Sequence, residues 1–293
     1  MNVKCIICNK RDFRIISKTV RDSKKHRIIE CKNCEHIQLN PIPSSSTYKK
    51  FYDDDQQLKN INYNFTIKQL EKKSEVDVQR RMQSIKKLNS KKDRILEIGS
   101  GNGFFLKNMY NLEYNITGLE ISKERREISK EITNAPVINH NLINAKKSLG
   151  KFDSILLFQV LEHVINPIDF LKKIFVILKK NGFIVIEVPN VKDLQIKLNS
   201  NYARWFWQMA HLNYFSKNTL ELVLKRSGYR NVKIFGVQRY GVENMLNWQV
   251  IKKPQLTETG KNLPPELNWL DKYYKQKLEK NMISDTLFLI AQK

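Results

Sequence analysis

The chain has 293 residues, 41% of them hydrophobic, with 52 basic and 29 acidic side chains and a formal net charge of +23. That length suits one large domain plus a small one, and no apolar run approaches the ~20 residues that cross a bilayer, so no membrane span is expected. The first residues, Met-Asn-Val-Lys-Cys, carry no apolar signal-peptide core, and a cytoplasmic protein is expected.

All four cysteines lie in the first 34 residues, as Cys5-x-x-Cys8 and Cys31-x-x-Cys34. Two such knuckles match a zinc ribbon, four thiolates around one tetrahedral Zn²⁺. Residues 1–43 are too few to bury much core, so a metal would hold the segment together. Four thiolates leave no open position, which makes this zinc structural rather than catalytic. Strand-like pieces at Phe13–Ile16 and Arg27–Ile29 would form the ribbon hairpin, and His26 and His36 belong to it. Disulfides are disfavoured in the absence of a secretory signal.

Residues 44–90 read as a linker and a leading helix. Pro41-Ile42-Pro43-Ser44-Ser45-Ser46 has linker composition. Tyr48, Phe51 and Tyr52 follow, either lining a substrate entrance or packing the ribbon onto the next domain. From Thr66 to Leu88 the pattern is an amphipathic helix, with Ile67, Leu70, Val78, Met82, Ile85 and Leu88 on its buried side.

From residue 91 strands and helices alternate, which predicts an α/β, doubly wound parallel sheet. A strand, Arg94–Ile98, runs into Gly99, Gly101 and Gly103 and then into an apolar helix start. Glycines let the backbone turn tightly and lie close to a ligand, and a helix N-terminus behind them favours negative charge. The G-x-G-x-G spacing differs from the G-x-G-x-x-G of a dinucleotide site, and no G-K-[ST] follows to hold a nucleotide triphosphate. Glu97 before the loop suits a sulfonium or amino group better than a phosphate. A second strand, Asn115–Leu119, ends in Glu120, where an acid can grip ribose hydroxyls. A third strand, Pro136–Asn139, precedes His140 and Asn141. Then come Phe152–Phe158, the segment Gln159-Val160-Leu161-Glu162-His163, a helical pattern at Asp169–Lys179, and Asn181-Gly182 before a fifth strand, Phe183–Val188. A sixth strand is read at 232–238 and a seventh at 285–291. The insertion at about 239–284 holds Arg239, Tyr240 and a helix around Pro264–Lys280.

Leu96-Glu97-Ile98-Gly99-Ser100-Gly101-Asn102-Gly103 resembles motif I of class I S-adenosylmethionine-dependent methyltransferases. Leu119-Glu120 resembles their acidic post-I position, and Phe152-Asp153 through Glu162-His163 resembles motif IV and the helix after it. The likeness covers roughly residues 70–240. It implies a Rossmann-like, seven-stranded sheet and S-adenosylmethionine as methyl donor, leaving as S-adenosylhomocysteine. It places donor contacts at Glu97, Gly99, Gly101, Gly103, Glu120, Asn141 and Gln159.

Methyl transfer is an in-line displacement that mainly needs donor and acceptor aligned, and a hydroxyl acceptor also needs a base. His163 and His211 are the candidates, with His211 preferred because class I enzymes bind substrate after the fifth strand. The N-terminal arrangement also resembles the zinc-ribbon methyltransferases of deoxysugar biosynthesis, which carry Tyr-x-Glu-His before an aromatic Tyr-Phe-Ser. Here His211 and Tyr214-Phe215-Ser216 match, while Gln208 and Ala210 stand where Tyr and Glu would be. The departure points away from proton abstraction at a sugar carbon and towards O-methylation, with N-methylation second, of a sugar, nucleotide-sugar or related small molecule. Trp207, Tyr214, Arg239 and Tyr240 would suit a sugar ring with an anionic handle, or they form an extra packing layer.

The +23 charge fits an anionic partner such as a nucleotide-sugar or RNA. It equally fits compositional bias, since the basic residues are spread along the chain. An RNA methyltransferase is the first alternative. It has the ribbon in its favour and, against it, the absence of a base-flipping Asn-Pro-Pro-Tyr motif. A non-catalytic binding module is the second.

Overall fold

The structure, a computed structural model, describes residues 3–44, 65–139, 149–253 and 263–293. Tyr48, Phe51, Tyr52, His140 and Asn141 lie outside the described residues.

The N-terminal cysteines sit on a small antiparallel sheet of β1 (Phe13–Ser17), β2 (Arg27–Cys31) and β3 (Ile37–Asn40). Its fourth strand, β9 (Asn213–Tyr214), comes from the far end of the chain. The hairpin of β1 and β2 follows the sequence expectation, and β3 and β9 add to it. Neither β3 nor β9 has a periodic signature long enough to read alone; β3 is paired along its length with β2, and the two-residue β9 becomes a strand because β3 supplies its hydrogen-bond partner.

The leading helix α1 (Ile67–Leu88) starts at a capping box, with Thr66 and Gln69 satisfying each other's backbone donors. Its buried side is Val78, Met82 and Ile85, with Ile67, Leu70 and Leu88 packed around them.

The main sheet has seven strands: β4 (Ile95–Ile98), β5 (Ile116–Leu119), β6 (Val137–Ile138), β7 (Phe152–Phe158), β8 (Leu178–Pro189), β10 (Arg230–Val237) and β11 (Thr286–Gln292). Their order is β10-β11-β8-β7-β4-β5-β6. The five strands from β8 to β6 are parallel, and β11 runs antiparallel between β8 and β10. The fold is therefore the Rossmann-like, doubly wound sheet expected. Asn181-Gly182, expected to precede the strand at Phe183, lies inside β8: Asn181 takes a left-handed φ of 62°, and the register with β7 shifts between Phe152 and Ser154. The preceding helix, α4 (Pro167–Ile177), accordingly stops two residues short of Lys179.

Strand alternation sorts side chains to two faces. Leu96, Ile98, Ile155, Leu157, Ile184, Ile186, Leu287 and Leu289 share one apolar cluster with α4 and with α7 (Lys217–Arg226). Ile95, Ile116, Leu156, Val185 and Phe288 share the other with α1 and with α2 (Phe104–Asn111). Full burial of each such side chain contributes ~1.5–3 kcal/mol. Glu97 and Glu187 fall on the second parity, under α1. Helix α3 (Lys123–Ile132) follows β5, and α5 (Leu194–Leu198) and α6 (Ser200–Phe206) follow β8. The insertion forms α8 (Val242–Val250) and α9 (Asn268–Lys280). No helix among the described residues is long and apolar enough to cross a membrane.

Candidate functional site

The candidate residues gather at the carboxyl ends of the parallel strands, where open α/β sheets place their ligand crevice. The β4–α2 loop holds three left-handed glycines, with φ of 72° at Gly99, 56° at Gly101 and 83° at Gly103. Their surroundings differ. A Cβ on Gly99 would stand 2.6 Å from Val160 Cγ2, and one on Gly103 2.1 Å from Ser129 Oγ. A Cβ on Gly101 would meet nothing within 4 Å. Two glycines are thus needed for packing, and the third borders open space. Helix α2 has no side-chain cap at Gly103, so its first amides are left to the loop and whatever lies before it.

Glu120 closes this loop from the side. One carboxylate oxygen accepts the Gly101 N–H and the other the Ser122 N–H, both at 2.8 Å. Gly99 and Ser100 donate to the Leu119 carbonyl. Glu97 is buried, and its Oε2 has no hydrogen-bond partner. Burial pushes its carboxyl up to about 8, with the nearby Arg81 opposing and Glu120 adding. Such an orphaned buried oxygen suits an amino group.

After β7 the chain passes Gln159, in a left-handed turn with φ 57°, into a 3-10 turn, Leu161–His163. The Gln159 N–H donates to the Glu187 carbonyl, and its side-chain Nε2 has no partner. Glu162 is 1% exposed. Burial first, and then the charge of Glu187, push its carboxyl up to about 8, against Arg81 and Arg239. His163 Nδ1 lies 2.8 Å from the Ala210 carbonyl, and burial holds this imidazole down at about 4.

His211 arrives from the loop between α6 and β9. Its ring packs edge-on to His163 with centroids 4.9 Å apart, and the Leu212 N–H donates to the Glu162 carbonyl at 2.8 Å. Burial, His163 and Arg21 hold its pKa well below 6.5. Both histidines are therefore neutral at neutral pH, the form able to accept a proton or ligate a metal.

Of the other sequence candidates, Tyr214 packs edge-on against the His211 ring with centroids 5.8 Å apart, while Trp207, Arg239 and Tyr240 are held by other partners. Trp207 and Tyr214 belong to an aromatic cluster with Phe206. The Tyr214 hydroxyl donates to the Gln208 carbonyl and accepts the Gln208 N–H, each at 2.9 Å. Arg239 is clamped on Asp77, and the Tyr240 N–H donates to Asp285. Arg80 and Arg81 of α1 meanwhile neutralise buried Glu187. Sequence reasoning assigns no role to Asp77, Arg80 or Arg81; Glu187 enters only as part of the segment that ends a strand, and Glu162 only as part of one that follows a strand. Glu187, a charged residue inside an apolar strand, was the available signal. A cavity of about 300 Å³ between α1 and the outer strands, lined by Arg80, Lys87, Phe235 and Phe288, contains none of the candidate residues.

In the ribbon, Cys5 Sγ lies 3.6 Å from Cys34 Sγ, and Cys8 Sγ 3.5 Å from Cys31 Sγ. The four sulfurs lie within 4.8 Å of one another, and none is in a disulfide. Tetrahedral Zn–S bonds of about 2.3 Å set sulfurs about 3.8 Å apart, so the cluster fits that ion.

A family model described as "Methyltransferase domain" matches residues 70–234. A ubiquinone biosynthesis O-methyltransferase of Pelagibacter ubique is 34% identical over 102 residues, 33% of this chain and 42% of that protein. A Caulobacter protein of the same description is 28% identical over 124 residues, 38% of this chain and 48% of its own length. The chain thus spans less than half the length of these curated relatives. The fold is shared with a SAM-dependent methyltransferase from Archaeoglobus fulgidus, at a TM-score of 0.52 and 21% identity over 75% of this chain and 94% of that one. It is also shared with the magnesium protoporphyrin IX methyltransferase of Synechocystis solved with bound S-adenosylhomocysteine, at a TM-score of 0.51 and 11% identity over 85% of this chain and all of that one. With its family model matched over more than half its length, the chain belongs to the methyltransferase-domain family.

Proposed function

We propose that the protein is an S-adenosylmethionine-dependent methyltransferase that methylates a hydroxyl of a small molecule. One observation carries the reading: the only loop glycine with open space before it, Gly101, donates its N–H to buried Glu120, whose charge in turn reaches buried Glu97. Glu120 would take the ribose hydroxyls, Glu97 the amino group, and the uncapped start of α2 the carboxylate of the donor, whose sulfonium supplies the methyl group. Gln159 borders the same place, because Val160 touches Gly99.

The acceptor belongs beside Glu162, His163 and His211. Neutral imidazoles there can take a hydroxyl proton, with His211 as the base. An oxygen acceptor is further supported by the matched relatives, which are named O-methyltransferases. The acceptor panel therefore includes sugars, nucleotide-sugars and phenols. The four thiolates would hold a structural zinc.

Calorimetric titration with S-adenosylhomocysteine, at low and high salt, tests the donor site. Micromolar binding is expected, and its absence overturns the reading. Labelled methyl transfer across the panel then tests the acceptor class. Turnover on RNA instead, falling steeply with ionic strength, would turn the assignment to a nucleic-acid enzyme.

A further inference from the structure

Glu162, His163 and His211 each bring one ligand atom to a common point, all within 4.8 Å of one another. The histidines come from separate loops joined through the Glu162 carbonyl and the Leu212 N–H. Both carboxylate oxygens of Glu162 are buried without a hydrogen-bond partner from another residue, and the group's own backbone N–H is what lies near them. A buried carboxylate in that state is costly unless a cation or proton answers it. Its ion-pair contact among the described residues is His163 Nε2, 3.8 Å away, too far for a shared proton.

The orientation of His163 is informative. Facing a carbonyl, Nδ1 must carry the ring's proton, so Nε2 presents its lone pair towards Glu162. A backbone carbonyl fixing the tautomer of an imidazole from behind is the usual outer partner of a metal-bound histidine. Two acceptors that face each other at 3.8 Å also approach the ligand spacing around a small divalent ion, about 3.3 Å for bonds near 2.05 Å in a tetrahedron. His211 is compatible. The Gln208 amide nitrogen lies 3.2 and 3.0 Å from its two ring nitrogens. An atom nearly equidistant from both stands on neither lone-pair axis, and Arg21 pins the other end of that amide.

We propose that Glu162, His163 and His211 form a three-ligand site for a divalent transition-metal ion, with the remaining positions open to the acceptor oxygen. Two imidazoles and one carboxylate make up a known open zinc-type ligand set, unlike the closed thiolate cluster of the ribbon. The site adjoins the glycine loop through the Val160–Gly99 contact. Arg21 and Arg125 lie close enough to oppose the ion; Glu162 favours it, and Glu187 does so only weakly because Arg80 and Arg81 neutralise it. The inference rests on the acceptor placement above and alters one role: His211 becomes a ligand rather than the base. The ion makes the acceptor hydroxyl easier to ionise, and its proton passes to water. A carbon–oxygen bond then forms as the carbon–sulfur bond breaks, and the sulfonium leaves as a neutral thioether.

The test uses the full chain carrying one zinc in the ribbon, titrated with Mn²⁺, an ion that thiolates bind poorly, and followed by loss of the free-ion paramagnetic resonance. One Mn²⁺ per chain is expected, weakened at least about tenfold in Glu162→Gln and His211→Asn, as is seen on loss of a ligand's partner or more. In the wild-type chain, Mn²⁺ should broaden the imidazole proton signals of His163 and His211 before those of His26, a readout that requires no variant. No uptake, or uptake unchanged in both variants with no selective broadening, overturns the proposal. S-adenosylhomocysteine is titrated in parallel. Donor binding without Mn²⁺ uptake sinks the metal site alone, and Mn²⁺ uptake without donor binding sinks the methyltransferase reading alone.

Discussion

Gln38 of the ribbon pairs in register with Asn213, two residues beyond His211. The Asn213 Oδ1 also accepts from His36 Nε2 at 3.2 Å, and its Nδ2 donates to the Val164 carbonyl at 2.7 Å, one residue past His163. The ribbon sheet therefore carries the loop that presents one histidine and touches the turn that presents the other. Cys5, Ile7 and Cys31 are in the same apolar cluster as Phe215 and Leu220.

Treatment with a strong metal chelator, or Cys31→Ser, is expected to lower turnover far more than donor affinity, because the ribbon sheet pairs with the strand after His211 and with neither β4 nor β5. A stability loss of roughly 3 kcal/mol would accompany it, a fall in Tm of roughly 6–12 °C. Thermal melts and calorimetric titration of S-adenosylhomocysteine on the same samples check both. Equal loss of donor binding and turnover would count against the ribbon acting through the His211 loop.

The glycines of the loop should separate folding from binding. Gly103→Ala places a Cβ 2.1 Å from Ser129 Oγ and is expected to destabilise the fold. Gly101→Val places its Cβ where nothing lies within 4 Å, at a left-handed strain of about 1–2 kcal/mol. It should nevertheless weaken donor binding by about 100-fold, near 2.7 kcal/mol, by filling the open space. Folded Gly101→Val protein with undiminished affinity would remove Gly101 from the donor site.

Glu97 should make donor binding release a proton at pH 7. Burial raises its carboxyl from the ordinary 4.5 to about 8, so the free protein holds a proton there that an incoming ammonium displaces. Titration in buffers of differing ionisation enthalpy checks the proton count, and Glu97→Gln should abolish it. The same shift sets a sign for stability. Between about pH 4.5 and 8 the folded state binds more protons at Glu97 than the unfolded state does. Its contribution is therefore favourable below that window and is lost as pH rises through it. Glu97→Gln should flatten that slope in pH-dependent melts.

His211→Ala is expected to reduce kcat on the order of 10²–10⁴-fold with donor affinity intact, whether the imidazole takes the acceptor proton or binds an ion that assists its loss. Kinetics against an identified acceptor, with S-adenosylhomocysteine titration alongside, check this. Full activity would remove His211 from the chemistry.

Arg239→Ala is expected to act on stability. Its guanidinium is held by Asp77 across to α1, and losing this partner leaves the largely buried Asp77 with Arg80 alone at ion-pair distance among the described residues. A cost of roughly 2 kcal/mol follows. An unchanged Tm together with a raised KM would instead return Arg239 to the acceptor pocket.

The sequence by itself determined the strands, the glycine loop, the acid after β5 and the cysteine knuckles. Each is a local signal: a period of two, a φ that glycine tolerates, a ligand spacing. Even Glu120 was legible, because its partner Gly101 is one helix and one strand away. Tertiary structure alone decided how the ribbon docks, since the two-residue β9 is a strand only through its pairing with β3. It alone set His211 against His163, and it alone showed Glu162 to be buried with neither oxygen hydrogen-bonded to another residue. It also decided that Arg239 faces Asp77 and that the Tyr214 hydroxyl is spent on Gln208. Those facts depend on distances between segments far apart in the chain. Such distances follow from closing a core around the sheet, and no local pattern of residue types carries them.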